Sequence, residues 1–538
     1  MKFYADRFKK TKQRSFCIAL WFPFYILSRN KDQIILTSFI TTRFKNPVDL
    51  SKFKLKIGDK THGYRIIAPF QDIKKPQKRH FGFFRLRIDR SELSDYSKHN
   101  LVVLHGENDN SILFNGRSIS YRRRTSCRLF DNENDRVAYF RESINGKLMF
   151  TVRERTGTDN VKSRLQIICA FILSKFMGLF TRKNLLFMYE KFGRYEEGAS
   201  ILFEYLIDHG YENAFLIANP DFLPKDLDEK YLANIIEMFT FRHYLYYFLS
   251  DTFVSSEQIV RAVDLDSQSF MLWKHCRKGY RKTTHIYLQH GINYMLNFNS
   301  PFRSNGRKVN KAPFYRQVHI SSSKKEAQHF MEEGLYDEDE IYITGMPKLD
   351  KAIGNEDADK IVIMPTWRPW EINDAMESLE NTTYFKFLQS IVDAVPEVLE
   401  DKIIILIHPL FNDVLNKRSE FEYGEPYDKI LRDARLLITD YSSVSFDAFY
   451  RGSNVIFNWS EKESCMKKYG KGTCIKLTED EAFGYVCYNQ EELTEAIKKA
   501  YYEPQKQEWI DNYMTLNEFN DGRNCERVVE WMKKDGII

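Results

Sequence analysis

Residues 436–450 read LLITDYSSVSFDAFY, and this stretch holds the pattern that decides the fold. The apolar run at its start is typical of a buried strand, and the polar residues Thr439 to Ser443 end that strand. Residues 444–450 follow with the spacing of a short helix, which the hydroxyls of Ser442 and Ser443 are able to cap. A strand that passes through a polar turn into a helix is the repeating unit of a parallel α/β sheet.

The same unit recurs along the chain from residue 184 onward. The predicted strands of the first half lie at 185–189, 214–217, 252–255 and 286–288. Those of the second half lie at 341–343, 361–364, 403–407, 436–438 and 455–457. We therefore predict two doubly wound, Rossmann-like α/β domains, at 184–345 and 346–538, that face a cleft. In such sheets ligands bind beyond the carboxyl ends of the strands.

Residues 1–155 have a different sequence pattern, in which short β-prone runs alternate with turn-forming residues. The predicted strands lie at 33–40, 53–57, 64–68, 81–88, 101–105, 112–114 and 148–152. This spacing predicts a small β-rich accessory domain, built as a sandwich. The full length of 538 residues agrees with three or four domains, at about 150 residues each.

The composition excludes several classes of protein. Subtracting 74 acidic from 80 basic residues leaves a net charge of +6. This balance argues against a nucleic-acid partner, since such proteins usually carry a dense basic excess. The eight cysteines show no CxxC spacing, which is typical of free thiols in a reducing compartment.

Residues 156–183 are predicted to be a linker followed by an amphipathic helix. Apolar residues recur at helical spacing at Leu165, Cys169, Ile172, Phe176 and Leu179. Basic residues accompany them at Arg164, Lys175, Arg182 and Lys183. The run is shorter than the roughly 20 residues that a membrane span needs. Two interpretations stay open: the helix lies in the interface of an anionic membrane, or it packs between two domains.

Polar turns follow four of the predicted strands. They are 288–291 with His290, 364–368 with Thr366 and Arg368, 407–409 with His408, and 439–443 with Ser442 and Ser443. An imidazole is able to take a proton from a hydroxyl near neutral pH, and a guanidinium suits phosphate oxygens. Each turn alone has a structural alternative: a hydrogen-bonded histidine, a solvated arginine, or serines that only cap a helix.

Together the four turns suit a substrate with a phosphate or diphosphate and an attacking hydroxyl. The chain lacks the G-x-G-x-x-G and G-K-[ST] loops, which argues against dinucleotide dehydrogenases and P-loop NTPases. No carboxylate cluster indicates a metal site. We expect no cofactor, with Mg²⁺ left open.

Five ordered motifs resemble those of the CDP-glycerol glycerophosphotransferase family, the teichoic-acid primases and polymerases. The motifs are Leu288-Gln289-His290-Gly291-Ile292, Thr344-Gly345-Met346-Pro347-Lys348-Leu349-Asp350, Met364-Pro365-Thr366-Trp367-Arg368, Ile407-His408-Pro409 and the run from Ile438 to Asp447. Residues 521–527, DGRNCER, also look like the start of the family's C-terminal helix. The resemblance covers residues 184–530.

The resemblance implies a GT-B-like fold and a CDP-alcohol donor, from which glycerol phosphate passes to a lipid-linked or polymeric acceptor at the cytoplasmic face of the bacterial membrane. It implies that His290 is the general base and that His408 lies near the donor diphosphate. The implied substrate-binding residues are Gly291, Thr366, Arg368, Ser442, Ser443 and Asp447.

The chain departs from the family pattern in three places. Many members have Trp-His-Gly-Thr-Pro where this chain has Gln289 to Asn293, Arg where it has Leu406, and Asp or Lys where it has Pro369. These departures put the donor and the acceptor in doubt more than the chemistry. The alternatives are a CDP-ribitol donor, a nucleotide-sugar glycosyltransferase, and a polysaccharide-binding or assembly protein without activity.

Overall fold

The structure is a computed structural model. It describes residues 16–20, 28–29, 33–44, 52–67, 80–96, 99–106, 111–115, 129–131, 135–142, 148–155, 161–178, 184–257, 262–263, 283–297, 316–334, 336–371, 375, 379–406, 427–470 and 472–538. The chain divides into two compact units. One comprises 1–159, 369–382 and 413–417, and the other comprises 160–368, 383–412 and 418–538.

The first unit is built from β-strands, as the sequence predicts. Its strands are β1 (Phe16–Leu20), β2 (Ser28–Arg29), β3 (Gln33–Phe44), β4 (Lys54–Ile57), β5 (Lys60–His62), β6 (Tyr64–Ile67), β7 (His80–Asp89), β8 (His99–His105), β9 (Ser111–Asn115), β10 (Leu129–Asp131), β11 (Arg136–Glu142) and β12 (Leu148–Glu154). Their main path runs β10-β11-β12-β8-β9-β1-β3-β7-β6. Among the described residues they form one hydrogen-bonded network, whereas the predicted sandwich has two separate sheets. The longest pairing, β3 with β7, joins Gln33 to Asp89 at one end and Thr42 to His80 at the other.

The second unit contains two parallel sheets. The first comprises β13 (Leu186–Tyr189), β14 (Ala214–Ala218), β15 (Ile235–Glu237), β16 (Thr252–Ser255), β17 (Thr284–Tyr287), β18 (Arg316–Ser321) and β19 (Ile341–Ile343). Its order is β15-β14-β13-β16-β17-β18-β19, and each neighbouring pair is parallel. Counted from β13, this is the 3-2-1-4-5-6 order of the Rossmann fold with one strand added.

The second parallel sheet comprises β20 (Lys360–Ile363), β21 (Ile403–Ile405), β22 (Ala434–Thr439), β23 (Asn454–Asn458) and β24 (Tyr485–Cys487). Its order, β21-β20-β22-β23-β24, is the 2-1-3-4-5 order of flavodoxin-like sheets. Both sheets are thus doubly wound, which confirms the predicted GT-B-like pair of α/β domains. Three strands of the parallel sheets, β15, β18 and β24, were not predicted from the sequence.

Helices connect the strands of both parallel sheets. Their bounds are Val161–Met177, Gly198–Asp208, Glu229–Leu232, Phe241–Leu249, Lys324–Gly334, Thr383–Ala394, Tyr427–Arg432, Val444–Tyr450, Lys462–Tyr469, Gln490–Tyr502, Gln507–Leu516 and Asn524–Lys534. The helix Val444–Tyr450 has the bounds that the sequence predicts for it. None of the described helices is both long and apolar enough to cross a membrane.

The last helix, Asn524–Lys534, packs against the first parallel sheet although its residues fall in the second predicted domain. Trp531 stacks on Tyr342 of β19 with ring centroids 4.8 Å apart, and Asp535 pairs with Arg316 of β18. Asp350 accepts hydrogen bonds from the backbone N–H groups of Asn524 and Cys525, at 2.9 and 2.7 Å. The chain therefore crosses back to the first sheet before it ends.

The helix Val161–Met177 packs on the helix Phe241–Leu249 through one face only. Ile167 and Ala170 lie in a core cluster with Phe187, Tyr244 and Phe253. The predicted stripe points elsewhere: Leu165, Ile172 and Phe176 are 58%, 52% and 62% exposed, and Cys169 is exposed as well. The helix thus has a second, exposed apolar face, while Leu179, Arg182 and Lys183 lie outside the described residues.

Candidate active site

Two of the predicted turns flank the point where the second parallel sheet reverses its strand order. Met364 to Thr366 follow β20, and Asp440 to Ser443 follow β22, its neighbour. Ligands of doubly wound sheets bind beside such a point, because neighbouring connections leave on opposite faces and open a crevice there. The predicted residues Thr366, Ser442 and Ser443 therefore lie where a ligand of this fold is expected.

The buried carboxylate of Asp440 joins these two turns. Its Oδ1 accepts the backbone N–H groups of Thr366 at 2.7 Å and Tyr441 at 2.6 Å. Burial raises the pKa of Asp440, and the hydrogen bonds from Thr366 and Tyr441 and the nearby Arg368 oppose that rise. Thr439 adds a hydrogen bond from its hydroxyl to the carbonyl of Met364 at 2.7 Å. These bonds fix the backbone from which the predicted ligands project.

Arg368 is buried, at 2% exposure, which excludes the solvated surface charge considered above. Its guanidinium pairs with Glu461 and donates to the hydroxyl of Thr383 at 2.7 Å. It also lies over the ring of Phe387, 5.0 Å from the centroid. Protein groups thus already engage this guanidinium, and its predicted contact with a phosphate stays a prediction.

His290 follows β17 of the first sheet at an unusual turn. Gln289 has a φ of 56°, a left-handed conformation that costs a non-glycine residue about 1–3 kcal/mol. Its buried side chain donates to the carbonyl of Ile320 and accepts from the amide of Asn293. These bonds hold the strained turn, while His290 is exposed and its Nδ1 lies 3.4 Å from the hydroxyl of Tyr287.

Glu326 anchors the same turn from the adjoining helix. Its Oε1 accepts the backbone N–H of Asn293 at 2.7 Å, and its Oε2 accepts from the N–H of Ser322 at 2.7 Å and the hydroxyl of Ser321 at 3.1 Å. Burial raises the pKa of Glu326 to about 7, although these hydrogen bonds oppose it. Gln289 and Asn293 are two of the positions where the chain departs from the family pattern, and here they bond to each other.

The turns of the two sheets meet at Gly291 and Ser443. A Cβ added to Gly291 would lie 2.8 Å from the Oγ of Ser443, so a larger residue at 291 would displace the serine. Ser443 begins the helix Val444–Tyr450 without a side-chain capping hydrogen bond. The Oγ of Ser442 accepts from the N–H of Val444 only at 3.4 Å. Capping therefore accounts poorly for this pair of serines.

Lys348, which was not among the predicted site residues, connects the His290 turn with the helix Val444–Tyr450. Its Nζ lies 2.5 Å from Oδ1 of Asp447 and donates to the carbonyl of His290 at 2.8 Å. The structure thus brings together His290 and Gly291 with Ser443 and Asp447 across the two sheets. In the sequence, only its place in the 344–350 motif could have indicated that Lys348 belongs to the site.

His408 lies in 407–426, outside the described residues, so its predicted place near a diphosphate stays a prediction. Among the residues that are described, no group of three or more His, Cys, Asp or Glu is arranged to hold a metal ion.

Comparison with known proteins places this site within a family match. Residues 170–534 match the model of a family described as CDP-glycerol:poly(glycerophosphate) glycerophosphotransferase. Over 311 residues the chain is 23% identical to the minor teichoic acid biosynthesis protein GgaB of Bacillus subtilis strain 168. That match covers 53% of this chain but only 33% of GgaB, so the chain spans about a third of this relative.

Solved structures are similar at low identity. The wall teichoic acid polymerase TagF has a TM-score of 0.47 at 17% identity, covering 70% of this chain and 97% of TagF. The UDP-GlcNAc 2-epimerase from Neisseria meningitidis has a TM-score of 0.36 at 11% identity, covering 65% of this chain and 99% of the epimerase.

Proposed function

The chain belongs to the CDP-glycerol:poly(glycerophosphate) glycerophosphotransferase family, and we propose that it transfers glycerol phosphate from CDP-glycerol to a hydroxyl of a lipid-linked or polymeric acceptor, releasing CMP. The observation that carries this proposal is the approach of the His290–Gly291 turn to Ser443. It brings the turn that carries the exposed His290 close to the hydroxyl of Ser443 on the other sheet, which supports a site where a hydroxyl attacks a phosphate.

The reaction needs one base and several groups that stabilise charge. His290 takes the proton of the acceptor hydroxyl, whose oxygen forms a bond to the β-phosphorus of the donor. The bond from that phosphorus to the bridging oxygen breaks, and CMP leaves with the electron pair. Ser442 and Ser443 donate hydrogen bonds to the phosphate oxygens. His408 and Arg368 are assigned to the charge that develops on the leaving group.

The remaining predicted ligands act through the backbone and through charge. Asp440 holds the backbone of Thr366 beside the serine turn, which supports the assignment of Thr366 to the donor site. Gly291 leaves room for the serine that it faces. Asp447 acts through Lys348, with which it pairs.

A donor screen tests this function. The purified chain is incubated with bacterial membranes as acceptor and with CDP-glycerol, CDP-ribitol or UDP-sugars in turn, and released nucleotide is measured. We expect CMP from CDP-glycerol, and a release that is slower by roughly 10²–10⁴ from the His290→Ala chain. Faster release of CMP from CDP-ribitol would reassign the donor, UDP release from a UDP-sugar would indicate a glycosyltransferase, and no release from any donor would indicate a binding or assembly protein.

We further propose that the enzyme works as a peripheral protein at the cytoplasmic face of the bacterial membrane. The exposed apolar face of the helix Val161–Met177 supports this location. Lys162 and Lys175 are exposed on the same helix and would attract an anionic surface. The cysteines that the structure describes in full are free thiols, as expected in a reducing compartment. A lipid-linked acceptor would keep the growing end within reach of such a position.

A further inference from the structure

Lys348 stands on a firmly held segment between the two parallel sheets. It belongs to the short 3₁₀ helix Pro347–Lys351, which follows β19. Asp350, two residues on, is fixed by the two hydrogen bonds from the last helix described above. The side chains of Lys348 and Asp447 are only 16% and 14% exposed, so their ion pair is largely shielded from water. An ion pair of this kind holds its geometry better than one at the surface.

The second contact of Lys348 gives it a role beyond an ion pair. The hydrogen bond to the carbonyl of His290 is made to the very residue that carries the proposed base. Gln289 and Asn293 hold the turn within the first sheet, and Lys348 connects it to Asp447 of the second. A single ammonium group thus ties the His290 backbone to Asp447.

We propose that Lys348 is a positioning residue of the transfer reaction, whose ammonium group fixes the His290 turn against the donor-binding half through Asp447. This inference rests on the proposed function, because it assigns Lys348 to the orientation of its base. The competing interpretations are an ion pair that only adds stability and a lysine that binds the donor diphosphate directly.

The test compares Lys348→Met with Lys351→Met. Lys351 lies three residues away and pairs with Glu204 instead of the site, so this control removes the same charge and one ion pair. We expect Lys348→Met to lower kcat by roughly 100-fold, the loss that a small misplacement of a catalytic group produces, with the Kd for CDP-glycerol changed less than threefold. Lys351→Met should keep wild-type kcat. Lys348→Arg should restore most of kcat, since a guanidinium is able to bridge both acceptors.

Two kinetic results would overturn the inference. Wild-type kcat in Lys348→Met would leave the ion pair with a structural role at most. A Kd that rises in step with the loss of kcat/KM, at unchanged kcat, would make Lys348 a donor ligand. The melting temperatures of all three variants are measured beside the kinetics, and Lys348→Gln, which also removes the charge but keeps a polar side chain, replaces Lys348→Met if the latter unfolds.

Hydrogen exchange separates a failure of this inference from a failure of the proposed function. The peptide over 286–297 should exchange faster in Lys348→Met than in Lys351→Met, whether or not the chain turns over CDP-glycerol. Equal exchange in the two variants rejects the positioning role even if the enzyme is active. A wild-type chain that releases CMP from neither CDP-alcohol rejects the proposed function instead.

Discussion

Replacing Ile172 and Phe176 by glutamate tests the proposed membrane contact of the helix Val161–Met177. Both side chains belong to its exposed face, whereas Ile167 and Ala170 make the contact with the core. The double variant should therefore lose affinity for vesicles that contain anionic lipid and keep its stability. Substitutions at exposed positions usually change the free energy of unfolding by less than about 0.5 kcal/mol, and glutamate is a good helix former.

The size of the loss follows from the exposed fractions. Fully burying such a side chain is worth about 1.5–3 kcal/mol. Ile172 and Phe176 are 52% and 62% exposed, which leaves about 2–3 kcal/mol in total for burial in a membrane. Two carboxylates at an anionic surface add about 1 kcal/mol each against binding. The sum of about 4–5 kcal/mol lowers the partition coefficient by about a thousandfold or more, at 1.4 kcal/mol per tenfold.

Vesicle sedimentation and thermal unfolding measure the two effects separately. The matched control carries Leu232→Glu and Val398→Glu, which replace exposed apolar residues elsewhere, at 49% and 73% exposure. It should bind vesicles like the wild type, and high salt should weaken binding of both. If the test variant binds vesicles as well as the control does, or melts well below it, this helix does not act as a membrane contact.

Three further variants test the site. His290→Ala should lower turnover by roughly 10²–10⁴, the usual range for a general base, with donor affinity and melting temperature nearly unchanged; wild-type turnover would remove His290 from the mechanism. Ser442→Ala with Ser443→Ala should weaken donor binding in calorimetry, by about 1.5–3 kcal/mol per hydroxyl; unchanged affinity with a lowered melting temperature would mean that they only cap the helix. Glu326→Gln should flatten the pH dependence of stability: because burial raises the pKa of this carboxyl from 4.5 to about 7, wild-type stability should fall as the pH rises through that range; equal pH dependence of the two chains in denaturant titrations would contradict this.

Alternation of apolar runs with polar turns was enough to predict two parallel sheets, and β16 and β19 were predicted with their observed bounds. Hydropathy failed for β18, which reads RQVHIS. Its polar residues have partners on other segments: Arg316 pairs with Asp535, and the ring of His319 packs on that of Tyr336 with centroids 4.2 Å apart. Such a strand is recognisable only after the chain has folded around it.

The residues of the site also differ in how far the sequence predicts them. Thr366, Ser442 and His290 could be predicted because they follow strand ends, and parallel strands bring their carboxyl ends to one edge of the sheet. The pairing of Lys348 with Asp447 left no local signal, since the two residues lie far apart in sequence. Arg368 was expected to bind phosphate through its guanidinium. Nothing in the sequence around it indicates that Glu461 is its partner.

Both sheets fix their site turns by the same device, a buried carboxylate that accepts backbone N–H groups. Glu326 accepts from Asn293 beyond the His290 turn, and Asp440 accepts from Thr366 and Tyr441. A buried carboxylate without such donors would be costly, so each turn and its anchor require one another. Because these turns are ordered before the donor binds, no binding free energy is needed to order them. That free energy is then available to orient the hydroxyl and the phosphate. This explains how the strained conformation of Gln289 persists: the surrounding bonds, rather than the local preference of the residue, set the direction of His290.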